Sequence, residues 1–124
     1  MLFWEDEMTS VKNMRVFLSG PMTGIEHYNV EAFARAHAIV KEAGADEVYD
    51  PAMEWLVADG RESEGMTHAD WMRRCIHELT STHSLCRYHA LVQLPGWEDS
   101  GGALVEAAVA DACGIPCVEL SEVG

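Results

Sequence analysis

Met14-Arg15-Val16-Phe17-Leu18-Ser19-Gly20-Pro21-Met22-Thr23-Gly24 decides how the rest of the chain is read. Its first six residues are a β-prone run, and Gly20-Pro21 stops that run in a tight loop, so it reads as a strand ending in a glycine-bearing turn. The same pattern returns at Ala90-Leu91-Val92-Gln93-Leu94, which opens onto Pro95-Gly96-Trp97-Glu98-Asp99-Ser100-Gly101-Gly102. Between the two, Asn29 is placed to cap a helix with Val30, Phe33, His37 and Val40 on one face, and Gly44 ends it. Glu47-Val48-Tyr49 reads as a short strand closed by Asp50-Pro51. Residues 52–66 are polar and weakly patterned, which suggests a lid-like loop.

Thr67 or His68 opens a second helix, with Met72, Cys75, Ile76 and Leu79 at i, i+3, i+4 and i+7. After Gly102 a third helix is expected to turn Val105, Ala108, Val109 and Ala112 to the core and to end at Cys113-Gly114. Pro116-Cys117-Val118-Glu119-Leu120 is the last strand. Strands alternating with helices predict an α/β chain: a single-domain Rossmann/flavodoxin-like three-layer sandwich with a mainly parallel sheet in the order 2-1-3-4. The domain is expected over residues 14–124, with residues 1–13 as an extension outside the fold.

Composition narrows the partners. The chain has 124 residues, enough for one core, with 8 basic against 21 acidic side chains and a formal net charge of -13. Such a balance argues against a nucleic acid polymer and against an anionic membrane surface, both of which need a Lys/Arg footprint. A small anion remains compatible, because backbone amides at a helix N-terminus bind one without side-chain charge. No apolar run has the length of a membrane span, and Met1 to Lys12 lack the pattern of a signal peptide. Cys75, Cys86, Cys113 and Cys117 are expected as free thiols in a reducing cytoplasm. Cys86-x-x-His89 and Cys113-x-x-x-Cys117 do not complete a zinc pattern, so neither metal nor cofactor is expected.

The two glycine loops carry the functional signal. Gly20, Pro21, Met22, Thr23 and Gly24 form either an ordinary strand-to-helix turn or a surface that a ligand approaches closely. They are not a P-loop and lack dinucleotide spacing. In the second loop Ser100 suits an N-cap, with the amides of Gly101 and Gly102 free for an anion. Trp97, followed by Glu98, either stacks on a ligand ring or plugs the sheet edge. Glu106 is either an acid placed to suit the helix dipole or a carboxylate aimed back at the cleft, where it would act as nucleophile or stabilise an oxocarbenium-like sugar centre. His27 and Tyr28 follow the first loop closely enough to meet a substrate.

Leu18 to Gly24, the Asp50-Pro51-Ala52 turn and Leu94-Pro95-Gly96-Trp97-Glu98-x-Ser100-x-Gly102-Ala103-x-x-Glu106 resemble, in that order, a phage and bacterial family of unknown function within the nucleoside 2-deoxyribosyltransferase-like superfamily. The resemblance implies a Rossmann-like sheet and a nucleoside or nucleoside 5′-monophosphate as the ligand. It implies that Glu106 attacks the anomeric carbon, that Gly20 to Gly24 approach sugar or phosphate, that Ser100 and Gly102 complete the phosphate cradle, and that the protein is a homo-oligomer. The activity implied is that of an N-glycosidase or deoxyribosyltransferase; the alternative is a non-catalytic nucleotide sensor on the same scaffold. Two positions depart from the active pattern. Phe17 stands where a Tyr is common, and the helix of residues 68–80 has no clear match for a supporting Asp, for which Asp70, Glu78 and Glu98 are substitutes.

Overall fold

The computed structural model describes residues 8–53 and 67–124; residues 1–7 and most of the expected lid, 54–66, lie outside the described residues. Four strands alternate with three long helices: β1 (Arg15–Ser19), α1 (Val30–Glu42), β2 (Glu47–Tyr49), α2 (His68–Leu79), β3 (Ala90–Gln93), α3 (Gly101–Ala112) and β4 (Cys117–Glu119). All three strand pairs are parallel, in the order β2-β1-β3-β4. The architecture is the expected Rossmann/flavodoxin-like one.

Period-2 alternation divides the core into two layers. Val16 and Leu18 of β1 and Val92 of β3 pack with Phe33, Ala36 and Val40 of α1 on one face. Phe17 and Leu91 point the other way, onto Cys75 and Leu79 of α2 and Ala110 of α3. Strands covered on both sides must be apolar throughout, and β1 and β3 are buried at nearly every residue. Phe17, Phe33, Leu18 and Leu91 are fully enclosed, each contributing about 1.5–3 kcal/mol by burial.

Three local expectations are corrected. Residues 8–13 are not outside the fold: Val11 is fully buried in the α1-side core, and Thr9 forms a parallel bridge with Val123. A single valine among polar neighbours gives no periodicity from which that docking is readable. Asn29 stands at the start of α1 but does not cap it with its side chain; its Nδ2 donates to the Pro21 carbonyl at 3.0 Å and fastens the first glycine loop instead. In α3 the buried residues are Ala103, Glu106 and Ala110, while Val105, Ala108 and Ala112 are exposed and Val109 is half-buried. This helix is apolar almost all round, so its pattern selects no face, and of its two acids Glu106 points inward while Asp111 is exposed.

Candidate functional site

β1 and β3 are neighbours, yet the chain leaves β1 toward α1 on one face of the sheet and leaves β3 toward α3 on the other. The crevice between those two exits is where open α/β sheets hold ligands. Here the exits are the two glycine loops, and they touch. Leu94 N donates to the Ser19 carbonyl at 2.8 Å, which draws the loops together. A Cβ on Gly20 would lie 2.7 Å from Leu94 Cβ, so glycine is needed for that approach. Gly96 adopts φ +87 and passes 3.5 Å from Pro21 Cγ, measured from where its own Cβ would be.

A cavity of about 310 Å³ lies between the loops. Its floor and one wall come from Gly20, Pro21, Met22 and Thr23, and the facing wall from Ser100, Gly101, Gly102 and Glu106. Ser100 caps α3, its Oγ accepting from Ala103 N at 3.2 Å, so the first-turn amides of that helix have no carbonyl partner within it. Eight of the eleven expected site residues therefore meet at one cavity. Gly24, Trp97 and Glu98 do not. Gly24 lies clear of other atoms at φ +81 and serves the turn. Trp97 and Glu98 are carried round by a short 3-10 turn (Trp97–Asp99) to a separate depression against β4, where Trp97 Nε1 donates to Glu119 Oε1 at 3.2 Å. Of the two readings of Trp97, its position fits the one at the sheet edge.

The aromatic wall is built by α2. His68, Trp71, Met72 and Cys75, at i, i+3, i+4 and i+7, all line the cavity. The Thr67–Asp70 capping box fixes the start of this helix: Thr67 Oγ1 accepts from Asp70 N at 3.2 Å, and Thr67 N donates to Asp70 Oδ2 at 2.9 Å. His68 Nδ1 lies 3.1 Å from Thr23 Oγ1 and ties the helix to the first loop. Tyr28 reaches the Trp71 ring, with centroids 6.0 Å apart, from a run of three left-handed residues: His27, Tyr28 and Asn29 at φ 52, 52 and 64. Three non-glycine residues in that region are costly, and such strain concentrates where a side chain has to be aimed. Tyr28 lines the cavity; His27 does not. Trp71 Nε1 is buried and donates to no acceptor among the described residues.

The Asp50-Pro51 turn serves this wall as well. Asp50 is buried, accepts from Met53 N at 3.0 Å and lies 3.2 Å from His37 Nδ1, which holds Pro51 at the cavity edge. A proline at the first helical position suits this arrangement.

Glu106 is the buried acid of the cavity wall. It is only 6% exposed yet forms part of the cavity wall. Its Oε1 accepts from Ser19 Oγ at 2.6 Å. Burial pushes its carboxyl up to about 7, opposed by the hydrogen bonds from Ser19 and from the Cys75 thiol, which favour the ionised form. A carboxylic acid poised near neutrality in a cleft is the usual mark of a group with a chemical task.

A second carboxylate also borders the cavity. It is Asp99, which the sequence reading passed over, and none of the three substitutes considered. Asp70 is engaged by Thr67, Glu78 accepts from the Tyr88 hydroxyl at 2.6 Å, and Glu98 faces the other depression. Phe17 does not reach the cavity; it is stacked on Tyr49 at 5.0 Å and meets Tyr88 edge-on at 5.5 Å.

None of the four cysteines is in a disulfide. Among the described residues no helix is long and apolar enough to cross a membrane, and no three or more His, Cys, Asp or Glu side chains converge on a metal position. No curated protein matches the chain. The family model that matches spans residues 14–119, from the strand before the first glycine loop to the end of β4, and the chain belongs to that family, a domain of unknown function (DUF4406).

Proposed function

We propose that this protein cleaves or transfers the N-glycosidic bond of a (deoxy)nucleoside or its 5′-monophosphate, with Glu106 as nucleophile. The reading rests on one observation above the others. A buried carboxyl, raised toward neutrality, stands in the wall of a cavity bounded by two glycine loops and an aromatic helix face. Expulsion of a base leaves positive charge on the sugar, and an ionised carboxylate against the anomeric carbon captures it as a covalent ester. The C1–N bond breaks, its electron pair leaves with the base, and one Glu106 oxygen forms the new C–O bond. Water or an acceptor base then attacks C1 and releases the carboxylate. Trp71 and Tyr28 offer the ring faces against which a base stacks. Asp99 and His68 line the same cavity and are groups that can exchange a proton with the leaving base or the incoming water. Likeness of the motifs to the nucleoside 2-deoxyribosyltransferase-like superfamily supports the same assignment.

One observation favours the second reading, a non-catalytic nucleoside or nucleotide sensor. Position 17, where active relatives carry a hydroxyl, is a phenyl ring sealed in the core. A panel of deoxynucleosides and their 5′-monophosphates, followed by chromatography for free base, separates the two. Base release that disappears in Glu106→Gln is expected. Saturable binding without release points to the sensor, and full release by Glu106→Gln rules out the nucleophile.

A further inference from the structure

Glu106 is held from behind by a residue that has no part in the cavity. Ser19 is 1% exposed and is not among the cavity-lining residues, whereas the carboxylate it meets at 2.6 Å is. The backbone of Ser19 is already used: its carbonyl accepts from Leu94 N, so the hydroxyl is not needed to hold the strand. Strand alternation puts residues 17 and 19 of β1 on the same face of the sheet, the face covered by α2 and α3. At 17 that face carries a ring with no hydroxyl, packed between Tyr49 and Tyr88. The hydroxyl that meets the carboxylate comes from the next residue along the same face. A carboxylate that must approach a sugar carbon works only if its rotation is fixed by a supporting shell.

We propose that Ser19 is the positioning residue for Glu106: its hydroxyl fixes one carboxylate oxygen and so turns the other toward the ligand. The catalytic part of this proposal rests on the reading of Glu106 as the reacting group; the orienting contact itself does not. The groups that face the carboxylate are Ser19 from β1 and Cys75 from α2, with His68 and Asp99 across the cavity. Ser19 and Cys75 both favour the ionised form against the effect of burial. Loss of the serine hydroxyl leaves that effect less opposed, and the carboxyl then titrates higher.

The test uses the whole chain as wild type, Ser19→Ala and Ser19→Thr, with circular dichroism to check folding. Carboxyl ¹³C NMR titration follows Glu106, its signal assigned by loss in Glu106→Gln. In Ser19→Ala the midpoint is expected to rise by about one pH unit, and in Ser19→Thr to stay near wild type. If threonine's extra methyl unfolds this packed position, Ser19→Cys replaces it as the variant retaining a donor, with a midpoint between the other two. An unmoved midpoint in folded Ser19→Ala overturns the proposal. On a nucleoside that wild type cleaves, Ser19→Ala is expected to lower kcat about tenfold to a hundredfold with KM little changed, and to shift the acidic limb of the pH profile upward. Unchanged kcat and limb overturn it as well. If wild type cleaves nothing, the N-glycoside reading fails, while the NMR titration still decides the role of Ser19.

Discussion

Replacing Glu106 by glutamine should make this protein more stable at alkaline pH, by an amount that the burial of the residue sets. The carboxyl titrates at about 7 in the fold against 4.5 in its unperturbed state. Between those values the native state binds the proton more tightly than the unfolded chain. Stability conferred by the neutral acid is therefore fully present below pH 4.5 and is lost as pH rises through 7. At about 1.4 kcal/mol per pH unit, the interval corresponds to about 3 kcal/mol, developed almost completely by pH 8. Glutamine keeps the size and cannot ionise, so its stability does not carry this loss. For a domain of this size the difference is about 10 °C in Tm. Thermal or urea melts of both proteins should show curves nearly together at pH 4.5 that separate steadily toward pH 8, with glutamine above. Taking the difference between variants removes the titration of every other group. Parallel stability–pH curves for the two proteins would show that the carboxyl is not raised and would remove the electrostatic ground for the mechanism. A gain in stability coupled to a loss of base release is the signature of a group kept for chemistry at the cost of the fold.

Gly20→Ala is expected to destabilise by about 1–3 kcal/mol, because its Cβ would lie 2.7 Å from Leu94 Cβ and the loops must separate; a urea midpoint at the wild-type value would contradict this. Trp71→Ala is expected to weaken the binding of a cleaved nucleoside about tenfold to a hundredfold, while Trp97→Ala leaves it unchanged, as read by isothermal titration. The reverse ranking would return the ring-stacking role to Trp97.

The strands were legible because each is a short apolar or β-branched run with a chain-breaking residue near at least one end. Even the three-residue β2 is enclosed by Gly44 and Pro51, and its bounds agree with the expectation. The face of α3 was not legible, since Leu104 and Val105 are no less apolar than the alanines that are buried. The same kind of ambiguity hid half of the site. Residues whose freedom or charge has a local signature, such as Gly20, Ser100, Gly102 and Glu106, stood out and do meet at the cavity. His68, Trp71, Met72 and Cys75 form a stripe at helical spacing that cannot be told from a core stripe without knowing what packs against it. The sequence left Trp97 open because nearness in sequence to a loop is not nearness in space: one 3-10 turn carries it to the sheet edge, while Asp99, two residues on, comes to the cavity edge.

Both outer strands of the sheet, Glu47–Tyr49 and Cys117–Glu119, are three residues long, and each carries an exposed glutamate. A strand laid against either margin would form only a few ladder hydrogen bonds and would have to accommodate that charge. The sheet thus ends in margins that discourage lengthening by a neighbouring chain. Surfaces for assembly are better supplied by helices and loops, and the mode of association that leads to fibres is disfavoured by strand length alone.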